Sequence, residues 1–186
     1  MKKEVWILPE YSAVLHQLEK QMREPQAHQD AMDINRKEGT KHAYRNIHAL
    51  AGELRQSALA QGGKLSIEVL EGADASLLAV LPDFGDLPVH VALSGEQLVV
   101  EAYLWPADQV RDAAGLNAQM LRLQKLFPFT TMALAPQGDG AEAYVMFAAM
   151  RASTNSDEIV AEILTLADSV IQATEALAPY LSLAHA

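Results

Sequence analysis

The hydrophobic pattern changes period after residue 40. Between Lys41 and Gln61, apolar residues recur at the spacing of an amphipathic helix, with Thr40 as its predicted N-cap and Gly62-Gly63 as its stop. Four strand-like segments follow, at residues 64–71, 76–81, 88–93 and 96–105. The turns between them are short, and short turns join antiparallel neighbours because a parallel pair needs a long crossover. We therefore predict an antiparallel sheet that follows a helix.

A helix and a second hairpin follow the four strands. We predict that the middle helix opens at Pro106 and Asp108, closes at Pro128, and has a kink at Gly115. Two further strands are predicted at residues 130–135 and 141–152. Because strands and helices are not in strict alternation, the pattern favours an α+β fold over a doubly wound one.

The chain closes with an amphipathic helix. It is expected to begin near Asn155, whose side chain can cap the backbone at Glu158, and to end before Pro179, after which the chain is expected to fray. Near the other end, a helical stripe is predicted at 10–24, and 26–38 reads as a weak helix or loop. We predict a helical N-terminal extension at 1–40, one α+β domain at 41–178 in the order α-β-β-β-β-α-β-β-α, and a C-terminal tail at 179–186.

Three strand-like segments, 76–81, 88–93 and 141–152, are apolar on both faces. Such strands cannot leave one face to water, so the sheet must be covered twice. Helices over one face account for half of that cover. The rest falls to the N-terminal helices or to a second subunit, and we favour a homodimer through the sheet or its edge.

Charge and composition narrow the function classes. Residues 1–62 hold nine Lys/Arg against eight Asp/Glu, and the remaining 124 hold five against sixteen. An acidic body repels phosphate backbones, so no nucleic-acid partner is expected. The chain has no Cys, its first apolar run, Val5 to Leu8, stops at Pro9, and no later segment approaches a membrane span. These features favour a cytoplasmic protein without membrane insertion.

No catalytic or metal-binding constellation stands out. The six histidines form no i,i+4 pair beside a glutamate, so no metal site is predicted. Asp83 and Asp86 bracket Phe84-Gly85 and could bind a hard cation, but a tight turn accounts for the same residues. The rival to a binding protein is a small-ligand sensor or enzyme with a site between sheet and middle helix, which would require His90, Glu101 and Lys125 to converge.

One face of the fourth strand is the predicted partner or dimer interface. Strict alternation places Val99, Glu101, Tyr103 and Trp105 on that face. Glu101 within an apolar strand is typical of an edge charge that prevents wrong pairing. As an exposed pair, Tyr103 and Trp105 would anchor a partner, but a place in the core or in the dimer interface is favoured.

Four stretches of the chain resemble the YjfI-like bacterial family of unknown function: Leu81-Pro-Asp-Phe-Gly-Asp-Leu-Pro-Val, Ser94-Gly-Glu-Gln-Leu-Val-Val-Glu-Ala-Tyr-Leu-Trp-Pro, Leu121-Arg-Leu-Gln-Lys-Leu-Phe-Pro and Asp168-Ser-Val-Ile-Gln-Ala-Thr-Glu-Ala. The resemblance covers about residues 64–178. It implies no activity or cofactor, and because genes of the family often lie beside those of PspA-like membrane-stress proteins, it suggests a PspA-like partner.

The element order is also similar to that of type III secretion chaperones and YbjN-like proteins, which are acidic, dimeric binders without enzymatic activity. Together with the residue patterns, this likeness predicts a non-enzymatic protein-binding module, chaperone- or adaptor-like.

Overall fold

The computed structural model describes residues 45–72, 75–137 and 140–182, which form a six-stranded antiparallel sheet with its helices. The strands are β1 (Ser66–Leu70), β2 (Ser76–Leu81), β3 (Leu87–Ser94), β4 (Gln97–Pro106), β5 (Thr131–Pro136) and β6 (Glu142–Arg151). The helices are α1 (Ile47–Arg55), α2 (Ala58–Gln61), α3 (Ala113–Leu123) and α4 (Ser156–Leu177). The order of strands across the sheet is β1-β2-β3-β4-β6-β5. The predicted α+β class and the predicted order of elements are confirmed.

The helix predicted between Lys41 and Gln61 is divided into two. The Asn46 side chain accepts a hydrogen bond from the backbone of Ala49 and caps α1, whereas Ser57 accepts one from Ala60 and caps α2. The prediction of one continuous helix to Gln61 is therefore wrong, because Ser57 offers the backbone a capping bond that competes with the helical one. The predicted stop at Gly62-Gly63 is confirmed. Thr40 and the helical stripe predicted at 10–24 lie outside the described residues, as does the segment 26–38.

The middle helix starts later than predicted. Residues Ala107–Gln109 form a 3-10 turn, and α3 begins only after Asp112, whose carboxylate accepts a 2.9 Å hydrogen bond from the backbone of Gly115. Gly115 thus stands in the first turn and marks no kink. A Cβ atom there would collide with the Asp112 carboxylate and come within 3.0 Å of the Tyr180 ring. The absence of a side chain at Gly115 leaves room for the helix cap.

The close contacts around Gly115 predict how an alanine there changes the free energy of unfolding, and Gly52 provides a matched control. Gly115→Ala is expected to lower the free energy of unfolding by about 1 kcal/mol, because losing the Asp112 cap outweighs the better helix propensity of alanine. Gly52→Ala in α1, where nothing lies within 4 Å of the new Cβ, is expected to raise it by about 0.5–1 kcal/mol. Urea unfolding of both variants checks the difference, and an equal gain at the two positions would contradict the role given to Gly115.

The last helix begins as predicted. The Asn155 side chain accepts a 2.9 Å hydrogen bond from the backbone of Glu158, and the first turn carries Asp157 and Glu158, which suit the positive end of the helix dipole. The predicted end before Pro179 is also confirmed, since α4 stops at Leu177.

The chain after α4 is held more firmly than predicted. Leu181 forms an antiparallel bridge with Val110, and the backbone of Ser182 donates a 2.7 Å hydrogen bond to Gln109. The prediction that the tail frays after Pro179 is therefore wrong as far as Ser182. Residues 183–186 lie outside the described part of the chain.

Two hydrophobic clusters lie on one face of the sheet, here named the inner face. The larger cluster packs α1 and α4 against β2, β3, β4 and β6. The smaller cluster contains Trp105, Leu116, Met120, Tyr144 and Leu177. The buried apolar residues of α1, α3 and α4 all belong to these clusters. The described helices therefore cover the inner face and supply one of the two covers that the apolar strands require.

Candidate functional site

The opposite face of the sheet collects most of the predicted site residues. Strand register places Leu78, His90, Glu101 and Phe147 in one row across β2, β3, β4 and β6. We name the outer face as the residues of this row and of the rows beside it: Leu78, Val80, His90, Ala92, Val99, Glu101, Tyr103, Val145, Phe147 and Ala149. It is an apolar surface with one histidine and one glutamate as neighbours at its centre.

Burial varies across the outer face. Val145 and Leu78 are 2% and 7% exposed, yet neither belongs to the hydrophobic clusters of the inner face. Glu101 is 9% exposed, whereas Tyr103 at the rim is 41% exposed. An apolar centre with an exposed aromatic residue at the rim is typical of a surface that contacts another polypeptide.

The structure places Val99, Glu101 and Tyr103 on the outer face as predicted, but Trp105 lies elsewhere. Glu101 is not the predicted edge charge, because β4 pairs with β3 on one side and β6 on the other. A β-bulge between Tyr103 and Trp105 shifts the register, so Trp105 stands opposite Tyr144 on the inner face. The two rings are 6.1 Å apart between centroids, and Trp105 is 4% exposed within the smaller cluster. The prediction that all four residues share a face is wrong because strict alternation fails at a bulge.

Burial also governs the titration of the outer-face groups. It lowers the pKa of His90 below its ordinary value, because the charged imidazolium loses hydration there. The pKa of the Tyr103 hydroxyl is raised, first by burial and then by the negative charge of Asp108. Neutral forms of both side chains are therefore favoured at neutral pH, which suits a surface that is covered by apolar contacts.

The His90 shift predicts how stability depends on pH. The unfolded chain protonates His90 near its ordinary pKa of 6.5, whereas the folded chain resists protonation until lower pH. The free energy of unfolding therefore keeps its full contribution from neutral His90 above about pH 6.5. This contribution is lost as pH falls through the lowered folded-state pKa, by at most about 1.4 kcal/mol per pH unit. Urea unfolding between pH 7.5 and 5 checks this against His90→Gln, which should lose less stability. An identical pH profile of the two proteins would contradict it.

The rival constellation for a small ligand is not assembled. His90 and Glu101 lie on the outer face, whereas Lys125 lies in the 3-10 turn Gln124–Leu126, which directly precedes Phe127 of the larger cluster on the inner face. These three side chains therefore do not share a pocket. Within residues 45–72, 75–137 and 140–182, no three His, Asp or Glu side chains are grouped as a metal site.

Asp83 and Asp86 serve a turn. Asp83 belongs to the 3-10 turn Pro82–Phe84, and Gly85 and Asp86 follow with φ values of 73° and 59°. Left-handed backbone of this kind favours Gly and tolerates Asp. Lys64 Nζ lies 3.1 Å from the Asp83 carboxylate, so a cation of the chain itself already contacts the group.

Both edges of the sheet carry groups that obstruct strand addition. At the β1 edge, the Arg55 guanidinium donates hydrogen bonds of 3.0 and 3.1 Å to the carbonyl of Ile67. At the β5 edge, the Gln124 side chain accepts a 3.4 Å hydrogen bond from the backbone of Met132, and Pro136 offers no N–H. A partner strand would have to displace these groups. The geometry favours the outer face over the sheet edge as a binding surface.

An exposed apolar surface elsewhere on the molecule was not predicted from the sequence. A groove of about 290 Å³ lies between α4 and the segment that follows α3. We name it the Phe129 groove; it is lined by Leu126, Phe127, Pro128, Phe129, Thr165, Asp168, Ser169 and Gln172. Leu126 and Phe129 are 71% and 72% exposed, which is unusual for large apolar side chains. The available signal was the position of Leu126 and Phe129 beside Pro128, outside the buried stripe of α3.

Comparisons with known proteins agree with this architecture. A family model described as "Uncharacterized protein conserved in bacteria (DUF2170)" matches residues 44–181. The uncharacterized protein YjfI of Escherichia coli strain K12 is 24% identical over 115 residues, which cover 62% of this chain and 85% of YjfI. The predicted resemblance to the YjfI-like family is thereby confirmed.

Two solved structures show how far the likeness of fold extends. YbjN of E. coli, described as a candidate transcription regulator, matches with a TM-score of 0.55 and 13% identity over 75% of this chain and 96% of YbjN. The predicted YbjN-like fold is therefore confirmed. A chain of the heterodimeric ExoU–SpcU complex, from the type III secretion system of Pseudomonas aeruginosa, matches at 0.36 with 17% identity, over 65% of this chain and 95% of that one. The second likeness is too distant to carry an argument. In the part of the chain that the structure describes, no helix is long and apolar enough to cross a bilayer.

Proposed function

The chain belongs to the DUF2170 family of bacterial proteins, and we propose that it is a protein-binding module that acts without catalysis. The outer face carries this proposal, because a surface that is apolar across four strands suits contact with a polypeptide. The side chains that a small-ligand site would have used, His90, Glu101 and Lys125, lie on different sides of the sheet. This separation supports a binding role over the rival role of ligand sensor or enzyme.

The occupant that we propose for the outer face is a second copy of this chain. His90 and Glu101 are cross-strand neighbours at the centre of the outer face, so a twofold axis that passes near them would set the outer faces of two copies against each other. The same axis would stack the apolar rows of Val99 and Val145 on their equivalents. Such self-complementarity is what an isologous interface requires. Val99, Glu101 and Tyr103 are the interface residues that we assign, and the functional unit is a homodimer.

The natural absence of cysteine allows a direct test of this occupant. Ala92→Cys and Ala149→Cys place a thiol on the outer face, and Ala161→Cys places one on the exposed side of α4 as a matched control. Under mild oxidation, we expect at least one outer-face variant to form a covalent dimer much faster than the control, as measured on a non-reducing gel. Equal rates for all three would contradict the dimer. If the protein is monomeric, the remaining candidates to cover the outer face are residues 1–44 and a different protein.

The client that we propose is a PspA-like membrane-stress protein, met in the cytoplasm. Support comes from the gene neighbourhood that the YjfI-like resemblance implies, and from the amphipathic helices that a coiled-coil protein can offer to an apolar surface. Titration of a purified PspA-like protein into the full chain, followed by sedimentation velocity, tests this pairing. If the two proteins sediment as separate boundaries at every molar ratio, this client is excluded, whereas the proposal of a homodimer still stands.

A further inference from the structure

We propose that the Phe129 groove is the docking site for an amphipathic helix that carries lysine or arginine on its polar face. This inference rests on the proposed function, to which it adds the chemistry of the client, and it uses a surface separate from the outer face. Three features of the groove support it: the rigidity of its apolar wall, the charge of its opposite wall and its size.

The apolar wall of the groove is held in place by the Gln124 side chain. The Gln124 amide donates hydrogen bonds to the carbonyls of Phe127 and Thr130, at 3.2 and 2.5 Å. Phe127 itself is 7% exposed and belongs to the larger core cluster. Leu126 and Phe129, on either side, are therefore presented to solvent by a fixed backbone. A partner that covers them gains apolar contact at little cost in ordering the segment.

The opposite wall belongs to one helix, α4, and carries one acidic side chain, Asp168. Thr165, Asp168, Ser169 and Gln172 line the groove at the spacing of a single helix face. Over its 22 residues α4 carries five acidic side chains and no lysine or arginine: Asp157, Glu158, Glu162, Asp168 and Glu175. Residues 45–186 as a whole hold seven Lys/Arg against seventeen Asp/Glu. A cationic occupant is thus favoured, and phosphate groups or an anionic membrane surface are repelled.

The size of the groove suits side chains of a helix better than an enclosed small molecule. Its volume of about 290 Å³ lies just below the range of small-ligand sites, which span roughly 300–1,000 Å³. The α4 wall from Thr165 to Gln172 extends about 10 Å, or two helical turns. A partner helix beside α4 can insert one or two leucines between Leu126 and Phe129 while its lysines reach Asp168.

The test uses the full chain and a fluorescent 18-residue peptide with leucine at i, i+3, i+4 and i+7 and lysine elsewhere. A second peptide replaces every lysine by glutamate. Fluorescence anisotropy is expected to give at least about tenfold tighter binding of the lysine peptide. Phe129→Ala should weaken that binding by about tenfold or more, because an anchoring aromatic side chain is lost. Leu121→Ala is the matched control, since Leu121 is 80% exposed but does not line the groove, and binding should change less than about twofold.

Two further outcomes decide the proposal. Asp168→Asn should reduce the preference for the lysine peptide while leaving the thermal melt unchanged, because Asp168 is assigned the contact with the cationic face. Binding that survives Phe129→Ala, or that falls equally with Leu121→Ala, would overturn the groove as the docking site. Failure of the groove is distinguishable from failure of the dimer, because disulfide trapping through the outer face does not involve Phe129.

Discussion

Trp105→Ala is expected to lower the free energy of unfolding by about 3–5 kcal/mol, a larger loss than we expect from any other substitution proposed for this chain. Trp105 is 4% exposed and packs with Leu116, Met120, Tyr144 and Leu177 in the smaller cluster. Removing the indole leaves a cavity where α3, the end of α4 and the sheet meet. Urea unfolding followed by far-UV circular dichroism measures the loss, because this signal reports helix content and does not require the fluorescence of the indole that the substitution removes.

Trp105→Phe separates packing from polarity. The indole N–H is buried without a hydrogen-bond partner in the described part of the chain, so phenylalanine removes no polar contact and keeps part of the ring volume. We expect a much smaller loss than with alanine. Were Trp105 an interface anchor instead, the alanine variant would change the mass in solution and leave monomer stability nearly intact. That result would contradict its place in the core.

Tyr103→Ala is expected to weaken association of two copies by about 2 kcal/mol, or roughly 30-fold in the dissociation constant. Tyr103 is 41% exposed on the outer face, so truncation costs the fold little while it removes an aromatic side chain from the proposed interface. Sedimentation equilibrium over a range of concentrations gives the dissociation constant for the wild-type and variant chains.

Leu134→Ala is the control for Tyr103→Ala. Leu134 is 42% exposed, nearly the same as Tyr103, but its register with Tyr144 places it on the inner face. It should leave association unchanged. A dissociation constant that is the same for Tyr103→Ala and the wild type, or that shifts equally for Leu134→Ala, would remove the outer face as the interface.

The strands were predictable because their ends coincide with strong turn signals. Ser94-Gly95 and the Pro82–Pro88 segment divide the apolar runs near the points where β2, β3 and β4 begin and end. The helix ends were less so. A side-chain cap at Ser57 divided a regular stripe, and Asp112 rather than Asp108 became the cap of α3, because competing caps within one segment are decided by tertiary packing.

The site was predictable only in part. Alternation assigned Val99, Glu101 and Tyr103 correctly to one face. Trp105 lies on the other face because one extra residue forms a β-bulge, and no local sequence pattern predicts a bulge. The Phe129 groove lies between an irregular segment and residues of α4 that come more than 35 positions later in the chain, from Thr165 onward. Such a surface has no periodicity along the sequence. From the sequence alone, Asp168 is indistinguishable from an ordinary solvent-exposed residue of a helix, because only the fold places it beside Phe129.

The mass of the full chain in solution tests the proposal that two copies pair through the outer face most directly. Sedimentation equilibrium is predicted to give twice the chain mass of 20.2 kDa, with a shift toward the single-chain mass on Tyr103→Ala but not on Leu134→Ala. A mass of 20.2 kDa at every concentration, unchanged by either substitution, would contradict it.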